Sequence, residues 1–196
     1  MPKKKGEKRI MDAAIKVFAK KGYSRATVKD IIREAKISRG TFYLYYHDKQ
    51  ELFTRLLENF MKEVIQAFAD IHYDTLKTYK DFCEHIKKVS NVFKDIVTKN
   101  KELTKIIYME GVVTGKSFSE KVNFYINHLL DISERFLNFC MDKKIIRKVR
   151  PKVVSYIAAG IIKELLFQFV EEKLPVSPDE IIEEGIEFYT RALKRE

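Results

Sequence analysis

Apolar residues recur at three- and four-residue spacing from one end of this chain to the other. Residues that interrupt helices are scarce, with 7 Gly and 4 Pro in 196 residues. This spacing keeps one face of a helix buried turn after turn, whereas half-buried strands need strict alternation. It predicts an all-α fold. Ile10, Ala13, Ala14, Val17 and Phe18 make the first stripe. Lys21-Gly22-Tyr23 ends it, with Gly22 placed for the left-handed turn that follows many helices. Thr27 can cap a second, short helix through Ala35, with Val28, Ile31, Ile32 and Ala35 facing inward. Lys36-Ile37 is a tight connection, and Ser38 caps a third helix that holds Thr41, Phe42 and Tyr43. Phe42, Leu44 and Tyr46 read as core. Asp48, followed three residues later by Glu51, opens a long helix whose stripe runs from Leu52 to Phe68.

Five more helices follow, about nine in all. One carries Phe82, Ile86, Val89 and Phe93. A short one runs from Asn100 through Met109 and is closed by Gly111 and Gly115. A long one starts at Ser117 or Ser119 and passes Phe136 and Leu137. The next has Pro151 in its first turn, where proline is tolerated. It is apolar on nearly all sides as far as Val170, and Leu174-Pro175 ends it. Ser177-Pro178-Asp179-Glu180 opens the last, which reaches Leu193. No apolar run approaches the ~20 residues of a membrane span. The Lys3–Lys5 start lacks the apolar stretch of a signal peptide. The expectation is a cytoplasmic protein with no membrane partner, and with Cys83 and Cys140 as reduced thiols.

Charge is unevenly placed. The net charge is +10, yet residues 1–50 hold 14 Lys/Arg against 5 Asp/Glu, while the remainder holds 24 against 23. A polyanion partner explains such a concentration, and nucleic acid is the commonest one. Enzyme chemistry finds little foothold. There is no Gly-rich phosphate loop, no paired-Cys zinc spacing, no His-x-x-x-His and no nucleophile elbow. Cys83 and His85 stand two apart and so point to different helix faces. Neither a metal site nor a cofactor is expected.

Thr27 to Lys49 form a unit of two short capped helices joined by a tight turn, with a long helix after them. That is a helix-turn-helix, whose second helix enters the major groove. Its outward residues are Ser38, Arg39, Thr41 and Tyr43. Arg39 can donate two hydrogen bonds to a guanine edge. Gly40 lets the backbone approach closely. Tyr43, Tyr45 and Lys49 lie where the helix leaves the groove, and their polar tips can hold phosphates. Thr27 and the helix N-terminus behind it can take another phosphate.

Residues 8–53 resemble the DNA-binding domain of TetR/AcrR-family regulators. The likeness rests above all on Thr27-Val28-Lys29-Asp30-Ile31 and on the run Ile37-Ser38-Arg39-Gly40-Thr41-Phe42-Tyr43-Leu44-Tyr45-Tyr46-His47-Asp48-Lys49-Gln50-Glu51-Leu52. Two positions depart from the pattern: Lys36 stands for the usual turn Gly, and Ile32 for a usual Ala. The resemblance implies a three-helix head over residues 1–47 and a ligand-binding and dimerisation body over 48–196. It implies DNA contacts from Thr27, Lys29, Ser38, Arg39, Thr41, Tyr43, Tyr45 and Lys49. It further implies a homodimer through the last two helices, 150–172 and 178–194, and a repressor that a small-molecule effector of unknown identity releases from its double-stranded DNA operator.

The body is rich in aromatic and flexible side chains, which suit an apolar or aromatic ligand. Phe82, Ile86, Phe93, Met109, Phe124, Tyr125, His128 and Phe167 are the candidate ligand-binding residues, and His85 is a further polar candidate. The alternative is a regulator or activator of the same fold that needs no ligand. A sealed body core would favour that alternative, and a cavity of several hundred Å3 would favour a sensor.

Overall fold

The computed structural model describes residues 3–69, 72–111 and 116–196, with side chains described for all of these except 3, 4, 109–111 and 116–119. Among the described residues it is all-helical. The elements are α1 (Lys3–Lys21), α2 (Val28–Ala35), α3 (Arg39–Tyr43), α4 (Lys49–Ala69), α5 (Tyr79–Lys99), α6 (Lys101–Gly111), α7 (Lys116–Asp142), α8 (Pro151–Val170) and α9 (Pro178–Leu193).

The chain packs as two compact units. The first takes residues 1–62 together with 100–122; the second takes 63–99 and 123–196. In the first unit the α1 stripe is the core: Ile10, Ala13, Ala14, Val17 and Phe18 are buried beside Ile31, Ala35, Phe42, Leu52, Phe53 and Leu57. Phe18 meets Phe53 edge-on at 5.6 Å between centroids, a favoured aromatic geometry. In the second unit Leu76, Phe82, Phe136, Leu137, Cys140, Ile145, Ile146 and Leu193 form one cluster, joining α5, α7 and α9.

The ends of the helices follow local chemistry. Gly22 takes φ 75° just past α1, and its N–H bonds the Phe18 carbonyl at 2.8 Å. Thr27 and Asp30 form a reciprocal capping box, as do Ser177 and Glu180. The start of α5 carries a cap that its apolar stripe did not signal: Asp81 accepts from the Lys77 and Thr78 backbone N–H groups, and Thr78 Oγ1 accepts from Asp81 N–H. α7 begins at Lys116, ahead of the Ser117 or Ser119 start that sequence indicated. Gly115, read as a closing signal of the preceding helix, lies outside the described residues.

Two expectations need correcting. Leu44, read as core, is 80% exposed. α3 is only five residues long and Leu44 caps it, so Phe42 and Tyr46 fill the inward positions on either side. The expectation that no apolar run approaches the length of a membrane span also meets an exception, by length and composition, in one helix. α8 has 20 residues, with a mean hydropathy of 1.6 over its most apolar stretch. Lys163 and Glu164 nevertheless sit side by side within it, both exposed.

Candidate nucleic-acid interface

The reading helix is held from behind and presented in front. Phe42 is fully buried, and its ring meets that of Tyr46 at 6.0 Å between centroids. Tyr46 is buried, and its hydroxyl donates to Glu7 Oε1 of α1 at 3.5 Å. Burial, then the Glu7 carboxylate, push the Tyr46 phenol above its ordinary value. At the front, Ser38 Oγ accepts from the Thr41 N–H at 3.0 Å and shares a 2.8 Å hydrogen bond with the Thr41 hydroxyl. That cap fixes the first turn of α3 and leaves Ser38, Arg39, Gly40 and Tyr43 exposed.

The Arg39 guanidinium carbon lies 5.6 Å from the centre of the Tyr43 ring. The ring steers a long side chain that would otherwise lose rotamer entropy on binding. A Cβ at position 40 would meet only the Ser38 hydroxyl, at 3.9 Å, so the outer side of Gly40 is open. The exposed Leu44 sits beside this group. An apolar side chain there can touch a thymine methyl. Sequence reasoning missed it because Leu44 stands between Phe42 and Tyr46 and read as core with them.

The turn between α2 and α3 keeps a left-handed residue although lysine stands at position 36 in place of the usual glycine. Lys36 takes φ 49° and ψ 52°, with its N–H on the carbonyls of Ile32 and Arg33. Ile37 N–H returns to the Ile32 carbonyl at 3.2 Å, and Arg9 of α1 donates to the Lys36 carbonyl at 3.3 Å. These bonds hold a conformation that disfavours any side chain beyond glycine.

The other predicted contacts divide. Lys29 is exposed on α2. Thr27 is exposed too, although its hydroxyl donates to Asp30 Oδ2 at 2.8 Å. Asp30 also accepts from Lys21 Nζ at 2.6 Å. The bond from Lys21, then that from Thr27, lower the Asp30 pKa to about 2. For Tyr45 and Lys49 the structure departs from the picture of outward phosphate-holding tips. Tyr45 lies against α1, where a Cβ on Gly6 would collide with the tyrosine hydroxyl. Lys49 Nζ donates to the carbonyls of Tyr23, Ser24 and Ala26 at 2.6, 3.3 and 2.8 Å, and stands 4.2 Å from the centre of the Tyr23 ring. It fastens the α1–α2 loop to the start of α4. Nothing in the spacing of the sequence could show that carbonyls from residues 23–26 would converge there.

The same unit exposes many cationic side chains. Lys8, Lys16, Lys20, Arg25, Lys29, Arg33 and Arg39 are exposed. An open groove between α1 and α2 is lined by Lys5, Lys8, Arg9 and Lys16, with Asp12 and Glu34 as the acidic members.

The ligand candidates in the second unit are not gathered in one lining. Phe82 is fully buried and stacked on Phe136 at 5.8 Å. Ile86 packs on the same cluster. Both are therefore built into the core. Phe93 is half-buried, 6.2 Å from Phe68. Phe124 is 67% exposed and meets Tyr125 edge-on. His128 and Phe167 are half-buried. The Met109 side chain lies outside the described residues. His85 stacks on Phe136 at 4.5 Å. Burial, with the nearby Lys88 charge, lowers its pKa to about 4, so it is neutral at physiological pH. Cys140 is buried in that cluster, and burial raises its thiol pKa to about 12. Among the described residues no three potential metal ligands come together.

A capped, exposed reading helix, backed by a buried aromatic and set in a cationic surface, defines a helix-turn-helix DNA-binding protein. Comparison with known proteins narrows this class. The family model for bacterial regulatory proteins of the tetR family matches residues 10–56. YuxN of Bacillus subtilis, an uncharacterized HTH-type transcriptional regulator, is 29% identical over 142 residues, 66% of this chain and 46% of YuxN. The match thus spans about half the length of that relative. YfiR of the same organism, described in the same words, is 26% identical over 183 residues, covering 89% of this chain and 86% of YfiR. The crystal structure of the Bacillus subtilis transcriptional regulator FadR in complex with stearoyl-CoA superposes with a TM-score of 0.78 at 19% identity, covering 94% of this chain and 98% of that one. Residues 10–56 thus match the DNA-binding part of the tetR family, and the chain as a whole is similar to HTH-type transcriptional regulators and shares their fold.

Proposed function

We propose that the protein is a dimeric repressor, resident in the cytoplasm with its DNA, that leaves its operator when a largely apolar small molecule binds the body. Residues 1–47 act as the reading head and residues 48–196 as the ligand-binding and dimerisation part. The observation that carries the DNA half is the exposed set Ser38, Arg39 and Tyr43, with the half-buried Thr41 among them, on a helix anchored by Phe42. Arg39 reads a base edge, and Leu44 supplies an apolar contact beside it. Thr27 and Lys29 meet phosphates at the start of α2. Tyr45 and Lys49 act one step back, by fixing the helix and its loop.

The dimer half rests on α8 and α9. Val153, Tyr156, Ile157, Ile161, Ile162 and Phe188 are all more than 40% exposed. A row of large apolar side chains left open to water is what a subunit interface covers. The row also accounts for the high hydropathy of α8 without a bilayer.

The ligand half is supported by the fold shared with a regulator that binds stearoyl-CoA. An acyl chain suits the aromatic and flexible composition of the body, and Phe93, Tyr125, His128 and Phe167, half-buried rather than built into the core cluster, are the side chains we propose to meet it. Ligand and operator must then weaken each other by the same factor. The test has two arms. Duplexes enriched from a random pool by the full chain should yield a two-fold-related sequence, and Arg39→Ala should relax selection at one base pair in each half. Stearoyl-CoA added to the selected complex should lower operator affinity. An enriched duplex whose affinity no acyl-CoA changes would remove the acyl reading and leave the DNA reading intact.

A further inference from the structure

The near-neutral charge of residues 51–196 hides a segregation. Residues 142–152 carry six Lys/Arg (Lys143, Lys144, Arg147, Lys148, Arg150 and Lys152) against one acid, Asp142; residues 191–196 carry three against one, Glu196. The rest of 51–196 is correspondingly acidic, with 15 Lys/Arg against 21 Asp/Glu.

The fold of the second unit brings these two segments together. Arg147 N–H donates to the Leu193 carbonyl at 3.0 Å, and Arg147 Nε to the Ala192 carbonyl at 2.6 Å. Arg195 donates to the Lys144 carbonyl at 2.7 Å. Between the cations, Ile145 and Ile146 are buried in the same cluster as Leu193. The loop is pinned by its apolar residues and turns its charges outward: Lys143, Lys144, Lys148, Arg150 and Lys152 are all exposed. Lys144 takes the left-handed conformation, φ 56°, at the point where α7 ends. Among the described residues none of these five cations is within ion-pair distance of a carboxylate, whereas ion pairs recur elsewhere on the surface.

A pinned loop that clusters unpaired cations raises local repulsion in the free protein, and a row of anions relieves it. We infer that this loop and the adjoining end of α9 form a second, sequence-independent contact surface for the phosphate backbone of duplex DNA, separate from the reading helix. DNA is favoured over an anionic bilayer by what stands between the cations. From Lys143 to Arg150 the apolar residues are Ile145, Ile146 and Val149. The first two are buried and the third packs on the core, so the loop itself offers no large apolar side chain to a membrane; the exposed Val153 beyond Lys152 belongs to the row assigned above to the subunit interface. The inference needs the protein to be a DNA binder, but not the ligand or operator readings.

The test uses the full chain and a random-sequence 30-base-pair duplex, with affinity measured by fluorescence anisotropy over a series of KCl concentrations. The variant combines Lys144→Gln, Lys148→Gln and Arg150→Gln, which remove charge and retain length. Each phosphate contact contributes about 0.9 to the slope of log K against log salt. The variant should lower that slope by roughly 2 to 3 and weaken binding at low salt, with helix content unchanged by circular dichroism. Its base preferences on a selected duplex should match those of the parent. A slope equal to the parent's overturns the inference. Arg39→Ala, run alongside, separates the two failures: if it loses sequence preference while the triple variant is unaltered, only the second surface is refuted. Binding of the parent, but not the variant, to phosphatidylglycerol vesicles, with no change of DNA slope, would assign the patch to a membrane and also overturn it.

Discussion

Lys49→Met separates two roles for one ammonium. As a phosphate contact, Lys49 would add to DNA affinity and nothing else. As the structure places it, Lys49 holds three carbonyls of the α1–α2 loop. Methionine keeps the length and most of the apolar stem, so the loss is confined to the charge and its bonds. The two shorter bonds, at 2.6 and 2.8 Å, are part-buried. They contribute about 1 kcal/mol each once competition from water is allowed for. The third is exposed and long at 3.3 Å, and is left out. The position over the Tyr23 ring adds about 0.5 kcal/mol. The substitution should therefore cost roughly 2–3 kcal/mol. For a chain of this size each kcal/mol moves Tm by roughly 2–4 °C, so the shift is about 4 to 12 °C. Thermal melting followed by circular dichroism reads it. In parallel, the slope of log K against log salt on a random duplex should stay at the parental value. A slope lowered by about 0.9, with Tm unchanged, would place the ammonium on a phosphate and refute the argument.

Three shorter predictions concern other parts of the chain. Lys36→Gly should raise stability by about 0.5–1 kcal/mol, since glycine takes the left-handed turn without the Cβ penalty and loses part of that gain to its freer unfolded chain; urea unfolding measures it, and a lower midpoint would count against the turn as described. His85 has a folded pKa near 4 against an ordinary 6.5, so the unfolded chain takes up the proton first and the folded state loses stability as pH falls from about 6.5 towards 4. His85→Phe should flatten the pH dependence of Tm across that window, and an unchanged profile would mean the imidazole is not buried neutral. Ile157→Lys places a charge among the exposed apolar residues of α8 and should shift the protein from dimer to monomer in sedimentation velocity, with a dimer of unaltered Kd as the contrary result.

How much of this was legible beforehand depended on how local the determinant was. The cap at Ser38 and the turn at Gly22 involve residues within four positions of each other, so sequence showed them. The α5 cap at Thr78 and Asp81 is equally local, but it lies ahead of the apolar stripe that marks the helix and the stripe does not reveal it. Leu44 was misplaced because three alternating apolar residues cannot all point inward from a five-residue helix, and helix length is settled by packing. Phe82 and Ile86, candidate pocket residues by sequence, pack in and on the core cluster: a large apolar side chain on a helical stripe has the same signature whether it lines a cavity or fills it.

The helical spacing by itself determined the all-α fold, and the Thr27–Leu52 run determined the reading head, because periodicity and capping act over a few residues. Only the tertiary structure decided that Lys49 turns inward while Arg39 stays exposed, and that residues 143–152 and 191–195 make one cationic surface. Both depend on carbonyls and charges brought together from distant parts of the chain, and a one-dimensional pattern carries no record of where those will meet.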